Sequence, residues 1–332
     1  MLARTALALT LAAAFAAPAA AQPAARDFSG TWSNASLTWL ERPARFTGPT
    51  LSEEEAKHLA DADPMKRARE LDSRPSDPNA GAPPVAETLG AAHSAVFMDG
   101  GTAFAKVKGQ YRTSWIVEPA DGRLPLTDLG RKRTAEAAAM RNRMDPDGPE
   151  ELAPNDRCLI GSRGSGGPGM LNNVYNSNYR FLSTPDAFVV VVEMGFGVRA
   201  IPILKDKAAA QAAHGPAILH PWMGDSTAWW EGDTLVIETI NVHPQQGSFG
   251  PIFLSEKGRV TERLSRASAK ELAYEFVVED PVHYTQTWKA EMTLYDLGDE
   301  IYEYACHEGN YALTGILGGA RAKETASGGS AP

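Results

Sequence analysis

Four small groups of residues carry side chains that could do chemistry. The first is His307-Glu308. An imidazole gains and loses a proton near neutral pH, which suits a general acid or base. Neighbours on a strand point to opposite faces, so only a strand end or bulge lets one of the two reach a cavity. The plain alternative is a strand-end histidine bonded to backbone, with Glu308 capping the Asn310-Tyr311 turn. The second group is Asn173, Tyr175, Asn176, Asn178 and Tyr179. Amides and phenols can hold a phenol or a carboxylate by hydrogen bonds, while asparagine is equally a turn residue. The third is Glu193 and Arg199, on either side of Gly195-Phe196-Gly197. They could pair across a hairpin; an Arg199 turned inward would instead clamp a substrate carboxylate through its two-pronged guanidinium. The fourth is His220, Trp222 and Asp225. His220 and Asp225 could form an oriented base, and Trp222 reads as core or cavity wall. Asp225-Ser226 also reads as a turn cap.

Other chemistries find less support. His58, His93, His214, His220, His243, His283 and His307 are scattered, with no His-x-His or His-x-x-x-His pair. Metal sites usually have such a local anchor, so a site without metal or cofactor is expected. The glycine-dense stretch from Gly161 to Gly169 lacks the Lys-Ser/Thr ending of a phosphate loop. No Gly-x-Ser-x-Gly elbow occurs.

The elements that must position these residues are mostly strands. Phe28 to Trp32 alternates and reads as a first strand. Leu51 to Leu71 reads as a helix capped by Ser52, with Glu53, Glu54 and Glu55 in its first turn. Residues 73–90 read as an aperiodic loop, mobile or functional. Tyr111 to Val117 reads as a strand and Asp128 to Met144 as a helix. From Asn172 on, strand follows strand: Tyr179–Leu182, Ala187–Met194, Val198–Leu204, Ser226–Glu231, Thr234–Asn241, Gly258–Ser265, Glu271–Val278, Tyr284–Tyr295 and Glu300–Ala305. Glu231-Gly232-Asp233 is a hairpin turn signal. About nine such strands imply a mainly β protein: a single antiparallel, lipocalin-like barrel or strongly curved sheet with a few peripheral helices. One barrel domain is expected over 22–322, with residues after Ala322 disordered.

The chain begins like a secretory signal: Arg4, an apolar run from Ala6 to Ala17, and a small-residue cleavage site at Ala19-Ala20-Ala21. The mature protein would start near Gln22, in the periplasm or outside the cell. Losing residues 1–21 removes one positive charge and takes the formal charge from −9 to −10. An acidic chain without a basic cluster argues against nucleic acid and anionic membranes as partners. No later stretch is long enough to span a bilayer. Partners are then a small aromatic molecule and, at most, a second copy of the chain. In an oxidising compartment Cys158 and Cys306 read most simply as one disulfide, the alternative being two buried thiols.

Several stretches carry a resemblance. They are His220-Pro221-Trp222-Met223-Gly224-Asp225-Ser226, Trp230-Glu231-Gly232-Asp233-Thr234-Leu235-Val236, Val260-Thr261-Glu262-Arg263, Asp280-Pro281-Val282-His283-Tyr284-Thr285 and Glu303-Tyr304-Ala305-Cys306-His307-Glu308-Gly309-Asn310-Tyr311. Together they resemble a large family of exported, β-rich bacterial proteins of mostly unassigned function, over roughly Arg157 to Arg321. Some members are similar to cofactor-independent lyases of lignin catabolism. These act on phenylcoumaran dimers, release carbon dioxide or formaldehyde, and leave a stilbene. The resemblance implies such a carbon–carbon lyase here. Its catalytic residues would be His307 or Tyr179 as base, with Glu308, and Arg199 as clamp. Trp222, Trp288 and Tyr284 would wall the cavity, with Asn173, Tyr175, Glu193, His220 and Asp225 as further substrate contacts. The competing expectation is a periplasmic lipocalin-like carrier of hydrophobic or aromatic molecules. A cell-envelope interaction protein is a third, for which the 73–90 loop would be the partner site.

Overall fold

Alternating burial along the strands decides the architecture. In β12, residues Leu272, Tyr274, Phe276 and Val278 are buried while Glu271, Ala273, Glu275 and Val277 between them are not. A strand with one buried face must close over a core. The computed structural model describes residues 24–64, 66, 67, 70, 75, 79, 100–141, 145–161, 165–195, 197–249 and 252–327. The signal segment 1–21 and the expected loop at 73–90 lie outside the described residues, apart from residues 75 and 79 of that loop.

In chain order the strands are β1 (Gly30–Ser33), β2 (Thr50–Leu51), β3 (Lys106–Val107), β4 (Gln110–Arg112), β5 (Ile116–Glu118), β6 (Asn178–Ser183), β7 (Ala187–Val192), β8 (Val198–Leu204), β9 (Asp225–Glu231), β10 (Thr234–Ile240), β11 (Arg259–Ser268), β12 (Glu271–Glu279) and β13 (Trp288–Asp296). The helices are α1 (Glu53–Asp61), α2 (Asp128–Arg141), α3 (Lys207–Ala212), α4 (Pro244–Phe249) and α5 (Tyr311–Ala326). β1 pairs with β6, the order then runs β6 to β13, and β13 returns to β1, with Trp32 opposite Asp296. Nine strands thus close a barrel, and β5 adds an edge to β13. A small three-stranded sheet, β2-β4-β3, stands beside it.

The barrel is mixed, where the sequence suggests an all-antiparallel one. β8 and β9 run parallel, Ile203 opposite Ala228. Residues 205–224 between them carry α3 and cross from one end of the barrel to the other, the long connection a parallel pair needs. Four further expectations shift. Tyr111 to Val117 splits into β4 and β5. Glu300 to Ala305 joins no ladder. α5 carries the chain through Ala326, beyond the expected end of order at Ala322. The helix expected from Leu51 starts at Glu53, because Ser52 and Glu55 form a reciprocal capping box.

One end of the barrel is apolar and ends in hairpins. There Phe28, Phe181, Phe188 and Trp230 fill the lumen, with Phe181 and Phe188 rings 5.1 Å apart. The other end gathers the start of β6, β8, β9, β11 and β13 and the end of β1, β7, β10 and β12. This second end, the mouth, holds the buried polar residues. Cys158 and Cys306 form a disulfide that ties the arm after β13 to the segment before β6, closing 148 residues of sequence.

Candidate functional site

Strand alternation turns Arg199, Ser226, Thr239, Glu262, Tyr274 and Tyr179 into the lumen near the mouth. Glu262 sits between Val260 and Leu264, both buried core residues, so a carboxylate occupies a core position. Arg199 answers it from β8. Its Nη1 donates to Glu262 Oε1 at 3.1 Å and its Nη2 to Oε2 at 2.5 Å. The side chains are 3% and 0% exposed. Nη2 also donates to Ser226 Oγ at 3.2 Å and Thr239 Oγ1 at 3.1 Å. The Tyr274 hydroxyl donates to Glu262 Oε1 at 2.6 Å. Burial alone would raise the Glu262 pKa, but Arg199, Tyr274 and the Gly169 N–H outweigh it and hold the carboxyl below its usual range. Burial pushes both Tyr179 and Tyr274 upward, so neither phenol ionises readily.

The glycine-rich stretch closes this network from above. Gly169 N–H points at Glu262 Oε1 at 3.4 Å, and Met170 N–H donates to the Tyr274 hydroxyl at 2.9 Å. Asn34 Nδ2 then donates to Met170 O at 3.2 Å and lies 3.4 Å from the Tyr179 hydroxyl. Glycine is required at Gly169, where φ is +74° and a Cβ would stand 2.7 Å from Ile252 and 3.1 Å from Phe276. Residues 165–169 of the run thus form a plug seated on an ion pair.

Above the plug, Trp222 stacks on His243 with ring centres 4.1 Å apart. Met223, next to Trp222, packs against Gly166 of the plug and Gly197 of the β7–β8 turn. Burial, and then the neighbouring His220, lower the His243 pKa, so its imidazole is neutral at physiological pH. His243 Nδ1 accepts the Gln245 N–H at 3.2 Å, which leaves the ring proton on Nε2. His220 Nδ1 is buried with no partner. Buried polar atoms without partners recur at this end: Asn34 Oδ1, Asn173 Nδ2, Asn178 Oδ1 and Arg199 Nε. Such atoms are rare in folded proteins and gather where a ligand or water belongs.

The structure distributes the expected residues unevenly. Tyr179 and Arg199 face the lumen; Tyr284 and Trp288 wall it, rings 5.6 Å apart. His220 and Trp222 sit at the mouth. Glu193 does not pair with Arg199. It accepts instead from the Nδ2 groups of Asn176 and Asn178, the latter at 2.9 Å, because strand alternation sends it to the outer wall. Asn173 Oδ1 caps the Tyr175 N–H at 2.6 Å. Asp225 does not orient His220. It accepts from Gly215 N–H at 2.7 Å and lies 3.1 Å from His214 Nδ1, on the outer wall. His307 and Glu308 are exposed in the turn after Cys306, outside the lumen, since the arm before them forms no strand.

Glu262, Tyr274, Ser226, Thr239 and His243 complete the site without having been singled out from sequence. Glu262 and Arg199 were findable as charges at inward positions of alternating strands; His243 carried no local signal. Among the described residues no group of three or more His, Cys, Asp and Glu side chains is placed to hold a metal ion. Among them no helix is long and apolar enough to cross a membrane. No family model, no curated protein and no solved structure matches the chain.

Proposed function

We propose that this protein is a cofactor-independent carbon–carbon lyase acting at the barrel mouth on a phenolic aromatic dimer of phenylcoumaran type. One observation carries the reading: a buried, charge-bearing lumen floor lies beneath a neutral histidine stacked on tryptophan. A carrier of purely hydrophobic molecules would gain nothing from an ion pair in its lumen, which is costly to bury. Strongly shifted groups around one mouth are characteristic of reacting sites. In this reading the phenol ring stacks on Trp222, His220 takes the phenol proton, and His243 Nε2–H holds the phenolate. The phenolate opens the neighbouring C–O bond to a quinone methide. The side-chain hydroxyl or carboxylate then releases its carbon as formaldehyde or carbon dioxide, and the electron pair of the broken C–C bond restores the ring, giving a stilbene. From the alcohol, the side-chain hydroxyl proton passes to the phenolate released by C–O cleavage, and the His220 proton returns to the restored ring phenolate. From the acid, which has no such proton, the His220 proton alone returns to one of the two phenolates. The ring is its own electron sink, so the protein supplies only position, a proton carrier and exclusion of water.

The disulfide supports an oxidising compartment, the periplasm or the exterior. The test is incubation of the mature chain with a racemic phenylcoumaran alcohol or acid, followed by stilbene absorbance and released formaldehyde or carbon dioxide. The expected result is turnover that falls about 100-fold or more in His220→Asn. No stilbene, with and without added metals, refutes the lyase. A second reading, a periplasmic carrier of aromatic molecules, is favoured by one observation: both terminal nitrogens of Arg199, the prongs that would clamp a carboxylate, are already engaged by Glu262, Ser226 and Thr239. Binding that quenches tryptophan fluorescence without turnover, and survives His220→Asn, supports it.

A further inference from the structure

A cavity of about 220 Å³ opens between α2, α4 and residues 150–157. It adjoins the barrel mouth through Pro244 and Gln245, which directly follow His243. One face of α2 supplies the first wall. Glu136, Ala137 and Met140 follow Arg133 by three, four and seven residues, the spacing that puts side chains on one side of a helix. Leu152 and Pro154 form the second wall and Pro244 the third. Ala137 and Leu152 are buried, while Met140 stays 38% exposed, an apolar side chain left without cover.

The charges that line this cavity do not cancel. Arg133 Nη1 donates to Glu136 Oε2 at 2.9 Å, and Lys132 Nζ lies 3.9 Å from Glu136 Oε1, so Glu136 is already neutralised. Glu150 is exposed to water, which screens it, and it stands beyond ion-pair distance of Arg157. Arg157 is partly buried, and its guanidinium makes no hydrogen bond, ion pair or ring contact with any described residue. A guanidinium without a counter-ion, set among apolar walls, is complementary to an anion carried on an apolar body. One planar fork matches the two oxygens of one carboxylate. Sites for drug-sized molecules run from about 300 to 1,000 Å³, so this cavity takes a smaller body, a single ring. We infer that it binds a small monocyclic carboxylate, the acid group on Arg157 and the ring against Met140, Leu152 and the two prolines. The ligand would bear on the turn whose Gln245 N–H holds His243 Nδ1. The site is separate from the reaction proposed at the mouth and uses neither His220 nor Trp222.

The test is titration of the full mature chain with benzoate, phenylacetate and benzamide, followed by ligand-observed NMR. At least one of the two acids is expected to bind saturably with a Kd of about 1 mM or below. Benzamide, which has the shape of benzoate without its charge, is expected to bind about tenfold more weakly or worse. The Arg157 side chain has no partner among the described residues, so Arg157→Gln is expected to keep the wild-type Tm and to lose the preference for the acid. His220→Asn is expected to leave this binding unchanged, whatever it does to turnover at the mouth. If Arg157→Gln does not fold, the Met140 methyl resonance of the wild-type chain decides, assigned with Met140→Leu: a saturable shift with the acid and a weaker response to benzamide support the site, and no shift overturns it. Equal affinity for benzoate and benzamide overturns the inference, and so does acid binding that Arg157→Gln leaves unaltered or His220→Asn abolishes. Absence of saturable binding by either acid up to about 20 mM also overturns it.

Discussion

Replacing Glu262 by glutamine should be among the most damaging single changes in the protein. The substitution keeps the shape and removes the charge. Arg199 would then be a buried guanidinium facing only the Ser226 and Thr239 hydroxyls and one amide oxygen. Its Nε already lacks a partner. Breaking a buried pair from one side costs about 3–5 kcal/mol, because the remaining charge cannot reach water. At about 2–4 °C of Tm per kcal/mol, that is a fall of roughly 6–20 °C. The pair as a whole contributes far less than this, since burying both charges offsets most of their attraction. Arg199→Met combined with Glu262→Leu and Tyr274→Phe should therefore recover most of the loss. The assay is urea and thermal denaturation by circular dichroism on the singles and the combination. A Glu262→Gln cost below about 1 kcal/mol, or a combined variant as unstable as the sum of the singles, would refute the reasoning. Solvent would then be reaching the pair, and the lumen would not be the dry site described.

Further outcomes follow from the same geometry. The pKa of Glu262 lies below its ordinary 4.5 and that of Asp280 below 3.8, so their contribution is complete above those values. It is lost as pH falls through the lower folded-state values, which denaturation between pH 5 and 2 would measure. His243 has the opposite character: its lowered pKa favours the neutral ring in the folded state, so stability should drop as pH falls below about 6.5, and His243→Asn should flatten that part of the curve. Replacing Cys158 and Cys306 by serine should destabilise the chain by up to about 5 kcal/mol on loop-entropy grounds, given a sequence separation of 148, as read by urea midpoint. Gly169→Ala should cost about 1–3 kcal/mol through its positive φ and the close approach of Ile252, with Ala at Gly232, where nothing lies within 4 Å, as the control for strain alone.

Much of the frame was legible because strands leave a period-two record. The strand over Glu271–Val278 and the Glu231-Gly232-Asp233 turn need no tertiary information to be read, whereas barrel closure is what turns Leu272, Tyr274, Phe276 and Val278 inward. Local capping chemistry likewise marks the start of α1 at Ser52. The two cysteines and a signal-like leader sufficed to expect a disulfide. The strand expected over Glu300–Ala305 fails for the complementary reason: its alternating tyrosines have no neighbouring strand to pair with, and a strand is stable only in a sheet.

The site was less legible, because its chemistry comes from pairings across the barrel. Arg199 and Glu262 are 63 residues apart, and nothing local says which carboxylate the arginine meets. Local reasoning chose Glu193, six positions away, but the alternation of β7 sends that residue to the opposite face of the wall. His220 and Asp225 separate for a similar reason, Asp225 turning outward to His214. The amino-acid sequence by itself determined the mainly β character and the span of chain a disulfide would close, since these depend on periodicity and composition along the chain; which face of each strand turns inward it left open. Only the tertiary structure decided the parallel β8–β9 pair, the seating of the glycine-rich plug on Glu262, and the sorting of charges between lumen and outer wall. Those depend on barrel closure, which brings strands far apart in sequence within hydrogen-bonding distance.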